Sequence, residues 1–137
     1  SDAYTDPAGV DYNPNWGQAT VVTTESIAGN DALKLAGLNY QGIDFVTSGS
    51  ALDVSGMTNL HIDFWTSDAT AVNLFLITTG PVETAYALPI ATGSWQSVDI
   101  PLTSFAGVDL ADVIQFKFDD AGTAEGATIF IDNLYFH

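Results

Sequence analysis

NLHIDFWT, Asn59–Thr66, decides how the rest of the chain is read. Leu60, Ile62 and Phe64 alternate with His61, Asp63 and Trp65. A strand sends successive side chains to opposite faces, so this stretch has one apolar face and one face of imidazole, carboxylate and indole. The apolar row asks for a core. The other row is an unusual set to leave to solvent, because solubility alone rarely selects Trp.

The same alternation recurs on both sides of this stretch. Upstream, residues 18–27 (QATVVTTESI) are β-branched and read as a strand, and Gly29-Asn30-Asp31 turns the chain into a second strand at 33–39. Tyr40-Gln41-Gly42 interrupts that strand before 43–47 resumes it, and the glycine suggests a bulge or a close backbone approach. Residues 1–5 read as a short edge strand, and 48–58 as a loop. Downstream, 67–70 reads as a hairpin loop into a strand at 72–78 that is apolar on both faces. Strands follow at 83–90, where Pro89 marks an edge or an end, and at 95–102. The one place with helical character is 103–111, too short for a packing helix. Residues 113–118 and 128–136 are the last strands, joined by an acidic, glycine-containing hairpin loop at 119–126. About nine or ten short antiparallel strands, with turn signals at roughly 8–12 residue spacing, imply an all-β sandwich of jelly-roll type.

Composition narrows the function. The chain has 137 residues, which suits one domain spanning 1–137 with a real core. Two Lys, no Arg and 17 acids give a net charge of −15, so nucleic acid, whose phosphates need a basic footprint, and anionic membrane surfaces are not expected partners. Anionic polysaccharides would also be repelled unless a metal bridged them. Such acidity suits a secreted or cell-surface protein in salty water, where screening softens self-repulsion. No apolar run approaches the ~20 residues that span a bilayer. The opening SDAYTDP has neither a basic nor an apolar leader segment, as expected of a mature or excised domain. Cysteine is absent, which removes disulfides and a thiol nucleophile.

Catalytic patterns are missing. The chain has two His, three Glu and no HExxH, GxSxG, P-loop or GxGxxG motif, so a non-catalytic role is expected. A binding role fits better. Sugars offer flat C–H patches and many hydroxyls, which aromatic rings and planar polar groups meet well, and a rigid sheet lowers the ordering cost. His61, Asp63 and Trp65 supply such groups, and QFKF at 115–118 alternates likewise, with Gln115 and Lys117 outward. Read together, the two strands make one candidate platform, in which Lys117 pairs with Asp63 or Asp99. Tyr40 and Gln41 add a ring and an amide, unless Tyr40 plugs the sandwich edge. Trp16, in a Pro/Asn/Gly loop, either presents a binding ring or folds back over the sandwich end. Trp95, just after a turn, reads as a packing residue at that end.

LKLAGLNYQGIDF, LDVSGMTNLHIDFWTSD, WQSVDIPLTSF, IQFKFDD and TIFIDNLYFH together resemble the carbohydrate-binding modules attached to secreted bacterial β-glucanases of the laminarinase type and to related marine polysaccharide-degrading systems. NYQG, LHxDxWT and QFKFD carry the resemblance most specifically. It implies a galactose-binding-domain-like β-sandwich, a monomer, that holds a neutral polysaccharide near an attached catalytic domain. β-1,3-Glucan (laminarin) is the ligand it favours, with agarose as another marine glycan, and a spacer or adhesion domain as the alternative role. It also implies a structural Ca²⁺ held by Asp2, Asn30 and Asp132, where Asp132 would otherwise cap backbone groups. One or two stacked rings and a few hydroxyl pairs supply only about 4–7 kcal/mol, or a dissociation constant of ~10⁻³ to 10⁻⁵ M.

Overall fold

Alternation places Leu60, Ile62 and Phe64 on one side of their strand, and in the computed structural model all three are fully buried. The structure describes residues 8–46, 50–122 and 126–137. Nine strands are formed there: β1 (Val21–Ile27), β2 (Asn30–Leu38), β3 (Tyr40–Asp44), β4 (Asn59–Thr66), β5 (Val72–Thr78), β6 (Val82–Ala87), β7 (Gln96–Pro101), β8 (Val113–Asp120) and β9 (Ala127–Phe136). They make two sheets, a five-stranded one in the order β1-β2-β9-β4-β7 and a four-stranded one in the order β3-β8-β5-β6. Every pairing is antiparallel. The expected β-sandwich is the observed one.

The core lies between the sheets. Leu35, Leu60, Ile62, Phe64, Ile100, Ile129 and Ile131 face Ile43, Leu74, Leu76, Phe116 and Phe118. Fully burying one such side chain contributes about 1.5–3 kcal/mol, so these rows dominate the stability. The segment expected to show helical character forms only a 3-10 turn at Leu102–Ser104, which buries Leu102.

Four connections differ from their sequence reading. Residues 67–70 are not a hairpin, because β4 and β5 belong to different sheets. The expected hairpin at 119–126 is not one either, because β8 and β9 belong to different sheets, and Asp120 accepts from the backbone N–H of Gly122 and Ala127. Acid and glycine content marks a turn, yet a strand's period carries no information on which sheet the next strand joins. The interruption at Tyr40 is a third such crossing. Asn39 alone separates β2 from β3, and its side-chain oxygen accepts from the N–H groups of Ala19 and Thr20 and from the Thr20 hydroxyl. The fourth difference is small: the β1–β2 turn is Ala28-Gly29, both at positive φ (53° and 86°), the geometry a two-residue hairpin demands, so Asn30 already belongs to β2. The expected edge strand at 1–5 lies outside the described residues.

Candidate functional site

The two outward rows read from the sequence do not meet. β4 sits in the five-stranded sheet and β8 in the four-stranded one, so His61, Asp63 and Trp65 are on one outer face and Gln115 and Lys117 on the other. The single platform is therefore corrected to two faces, one on each side of the core. Lys117 pairs with neither Asp63 nor Asp99. Its Nζ donates to both Glu83 carboxylate oxygens at 2.7 and 2.8 Å and lies 3.9 Å from the Phe75 ring centroid. Register explains this: Lys117 is opposite Phe75 on β5, and Glu83 is opposite Ile77 one strand further on.

The four-stranded face is recessed at one side by the loop at 12–18. Asp11 pairs with Asp44 through two backbone hydrogen bonds of 2.8 and 2.9 Å, which covers the free edge of β3 and anchors the loop there. The Trp16 N–H donates to Gln18 Oε1 at 2.8 Å, and Gln18 Nε2 donates to the Pro14 carbonyl at 2.7 Å. These bonds turn the loop back over the sheet. The Trp16 indole then lies against the β3 backbone at Gly42, where any Cβ would sit inside contact distance of three ring carbons. The glycine inside the strand pattern is thus a close approach, one of the two roles its position suggested. The Tyr40 hydroxyl donates to the Trp16 carbonyl at 2.8 Å, which ties the second ring to the same loop.

Gln41 has a different role from the one expected. It alternates with Tyr40 and Gly42, so it points inward, and it is completely buried. Its Nε2 donates to Gly42 O at 3.0 Å and reaches Asn13 Oδ1 at 3.3 Å, while its Oε1 accepts from Gln18 at 3.3 Å. It holds the loop that carries Trp16 and has no surface to offer a ligand.

Trp16, Tyr40, Gln115 and Lys117 all line one open cleft of about 640 Å³, together with Glu83 and Asp119. Asn73 donates to Asp119 at 2.9 Å, adding an amide–carboxylate pair to the same face. Two rings at one side and a row of planar or charged polar groups across the strands make a surface for a polyhydroxylated, partly apolar ligand.

The five-stranded face is built differently. His61 Nδ1 is 2.7 Å from Asp99 Oδ1, and His61 Nε2 is 3.2 Å from Asp63 Oδ1. Asn133 Nδ2 donates to Asp63 Oδ2 at 2.7 Å. Burial pushes the Asp63 carboxyl up, but hydrogen bonds from Asn133, Ser97 and His61 outweigh it and hold the group below the usual carboxylate range. Hydrogen bonds from His61 and His137 do the same for Asp99. Trp65 packs edge-on to Phe130, centroids 5.6 Å apart, and Tyr135 stacks on His61 at 4.8 Å. Trp95 is not packed into the sandwich end as expected but 43% exposed on this side. The polar groups here are largely spent on one another.

Of the expected Ca²⁺ ligands, Asn30 and Asp132 are side by side and hydrogen-bonded, and Asp132 Oδ1 also accepts from the Asn133 N–H at 2.8 Å. Asp2 lies outside the described residues. Both side chains carry oxygen donors of the kind Ca²⁺ takes, and here the Asn30 amide turns its nitrogen toward Asp132.

No protein-family model matches the chain, and no curated protein sequence does. Solved structures do match. The family 11 carbohydrate-binding module from Clostridium thermocellum, determined with a β-1,3-1,4-mixed-linked tetrasaccharide, is 16% identical, with a TM-score of 0.61 over 88% of this chain and 84% of that one. The family 30 carbohydrate-binding module of a cellulosomal cellulase of Clostridium thermocellum is 17% identical, with a TM-score of 0.66 over 92% of this chain and 86% of that one. An exo-β-agarase is 17% identical, with a TM-score of 0.70 over 97% of this chain but only 23% of the enzyme. At these identities the likeness is one of fold.

Proposed function

We propose that the chain is a non-catalytic carbohydrate-binding module that holds a neutral polysaccharide in the cleft of the four-stranded sheet. The observation that carries this reading is the seating of Trp16 on Gly42 beside Tyr40, above a row of polar side chains. A glycine that admits an indole onto a strand, and a buried glutamine that fixes its loop, build a ring platform that a core has no need of. The solved modules of the same fold include one determined with a mixed-linkage glucan, which supports a sugar as the ligand class. β-1,3-Glucan is the ligand we favour, presented to an attached glycoside hydrolase outside the cell. The fold likeness to part of an exo-β-agarase supports agarose as the second candidate. A structural Ca²⁺ at Asn30 and Asp132 belongs to the same reading, and a melting temperature unchanged by chelator would contradict it.

Affinity electrophoresis against laminarin, mixed-linkage glucan, agarose, chitin and alginate tests the proposal. Retardation by laminarin or agarose, and none by anionic alginate, is expected. No retardation by any neutral glycan would leave a spacer or adhesion role in its place.

A further inference from the structure

We propose that His61, Asp99 and His137 form a binding site for a divalent transition-metal ion of the Zn²⁺ class. The site is on the outer face of the five-stranded sheet, remote from the sugar cleft, and does not rest on the function proposed above. Three adjacent strands deliver it. His61 lies on β4, directly opposite Asp99 on β7 and Tyr135 on β9, and His137 follows β9. His61 Nδ1 and His137 Nε2 both reach the same Asp99 oxygen, at 2.7 and 3.1 Å, and all three ligand atoms lie within 4.8 Å of one another. Tetrahedral Zn²⁺ with bonds of about 2.0–2.2 Å spaces its ligand atoms about 3.3–3.5 Å apart. To admit the ion, Asp99, whose side chain is 58% exposed, would back away by less than about 1 Å, and the two imidazole nitrogens, within 4.8 Å of each other, would close by up to about 1.5 Å.

The groups around the cluster are those that orient a metal-bound imidazole. A ligating His commonly gives its other ring N–H to a carboxylate, which fixes the tautomer and raises the basicity of the ligating nitrogen. Here His61 Nε2 faces Asp63, Asp63 is in turn held by Asn133, and Tyr135 stacks flat on the ring. His137 is positioned by its backbone. Its N–H donates to Asn59 O, and its carbonyl accepts from the N–H groups of Thr58 and Asn59, at 2.7–2.9 Å. Two imidazole nitrogens and one carboxylate suit Zn²⁺, Cu²⁺ or Ni²⁺, whereas Ca²⁺ prefers an all-oxygen shell. Bound there, the ion would staple β4, β7 and the end of β9 together.

Calorimetric titration of the chelator-treated chain with ZnCl₂, in physiological salt and excess Ca²⁺, tests the site. One Zn²⁺ per chain should bind and should not be displaced by Ca²⁺. His137→Gln, on an exposed side chain, should leave the circular dichroism and glycan retardation unchanged and weaken Zn²⁺ by about 10–100-fold, and Asp63→Asn should weaken it by roughly tenfold through the His61 ring. Equal affinity in His137→Gln and the parent chain, or displacement by Ca²⁺, would overturn the proposal and leave a hydrogen-bonded cluster on an acidic surface.

Discussion

On the outside of the four-stranded sheet, Trp16 arrives from a loop and sets its indole against Gly42; on the outside of the five-stranded sheet, Trp65 rises from its own strand and packs edge-on to Phe130. Both faces carry rings, carboxylates and amides. On the first, the loop adds height at one side and leaves the polar groups spread along the floor of a cleft. On the second, His61, Asp63, Asp99 and Asn133 bond to one another across neighbouring strands. Side-chain inventory is therefore a poor guide to a binding face. Polar groups pair with one another on both faces, so what differs is whether the backbone makes room for a ring beside them.

Filling that room should produce the largest effect. Gly42→Val would place branched carbons where the Trp16 indole lies, so Trp16 should lose its seat, glycan retardation should be abolished, and unfolding in urea should show a loss of about 1–3 kcal/mol. Unchanged retardation in a folded Gly42→Val protein would break the distinction between the faces. Gln41→Leu comes next. It removes an amide that the loop bonds to from several sides and leaves Gln18 and Asn13 short of a partner, at about 1–3 kcal/mol. Retardation should weaken with it, although Gln41 touches no ligand.

The five-stranded face should answer to pH instead. The folded Asp63 carboxyl titrates below its ordinary range, so its contribution is present above that range and lost as pH falls through the lowered value. The urea midpoint of the parent chain should therefore drop more steeply on acidification below about pH 4 than that of Asp63→Asn. Parallel curves would show that Asp63 is not held as described. The smallest effect is expected at the Lys117–Glu83 pair, where Glu83→Gln should cost less than about 1 kcal/mol of stability, read from the same titrations.

Period-two alternation made the two sheets legible. The buried row Leu60, Ile62 and Phe64, and the outward direction of Gln115 and Lys117, followed from it directly. Sheet membership did not, because alternation describes one strand at a time, and so β4 and β8 looked like neighbours when the core separates them. The cleft was half legible. Trp16 and Tyr40 stood out as candidate rings, and Gly42 signalled a close approach, but nothing in the local pattern said that the ring approaching Gly42 is Trp16, 26 positions away. Gln41 was misread for a related reason: its alternation with Tyr40 shows opposite sides, and only the sheet's position in the sandwich shows which side is inside. His137 gave no local sign of its partners, since its meeting with Asp99 depends on the order β9-β4-β7.

The most direct test compares Trp16→Ala with Trp65→Ala by calorimetry against whichever neutral glycan retards the parent chain. Binding should be lost, by about 2 kcal/mol or more, in Trp16→Ala and retained in Trp65→Ala. Loss in Trp65→Ala with retention in Trp16→Ala would move the site to the five-stranded face and contradict the account.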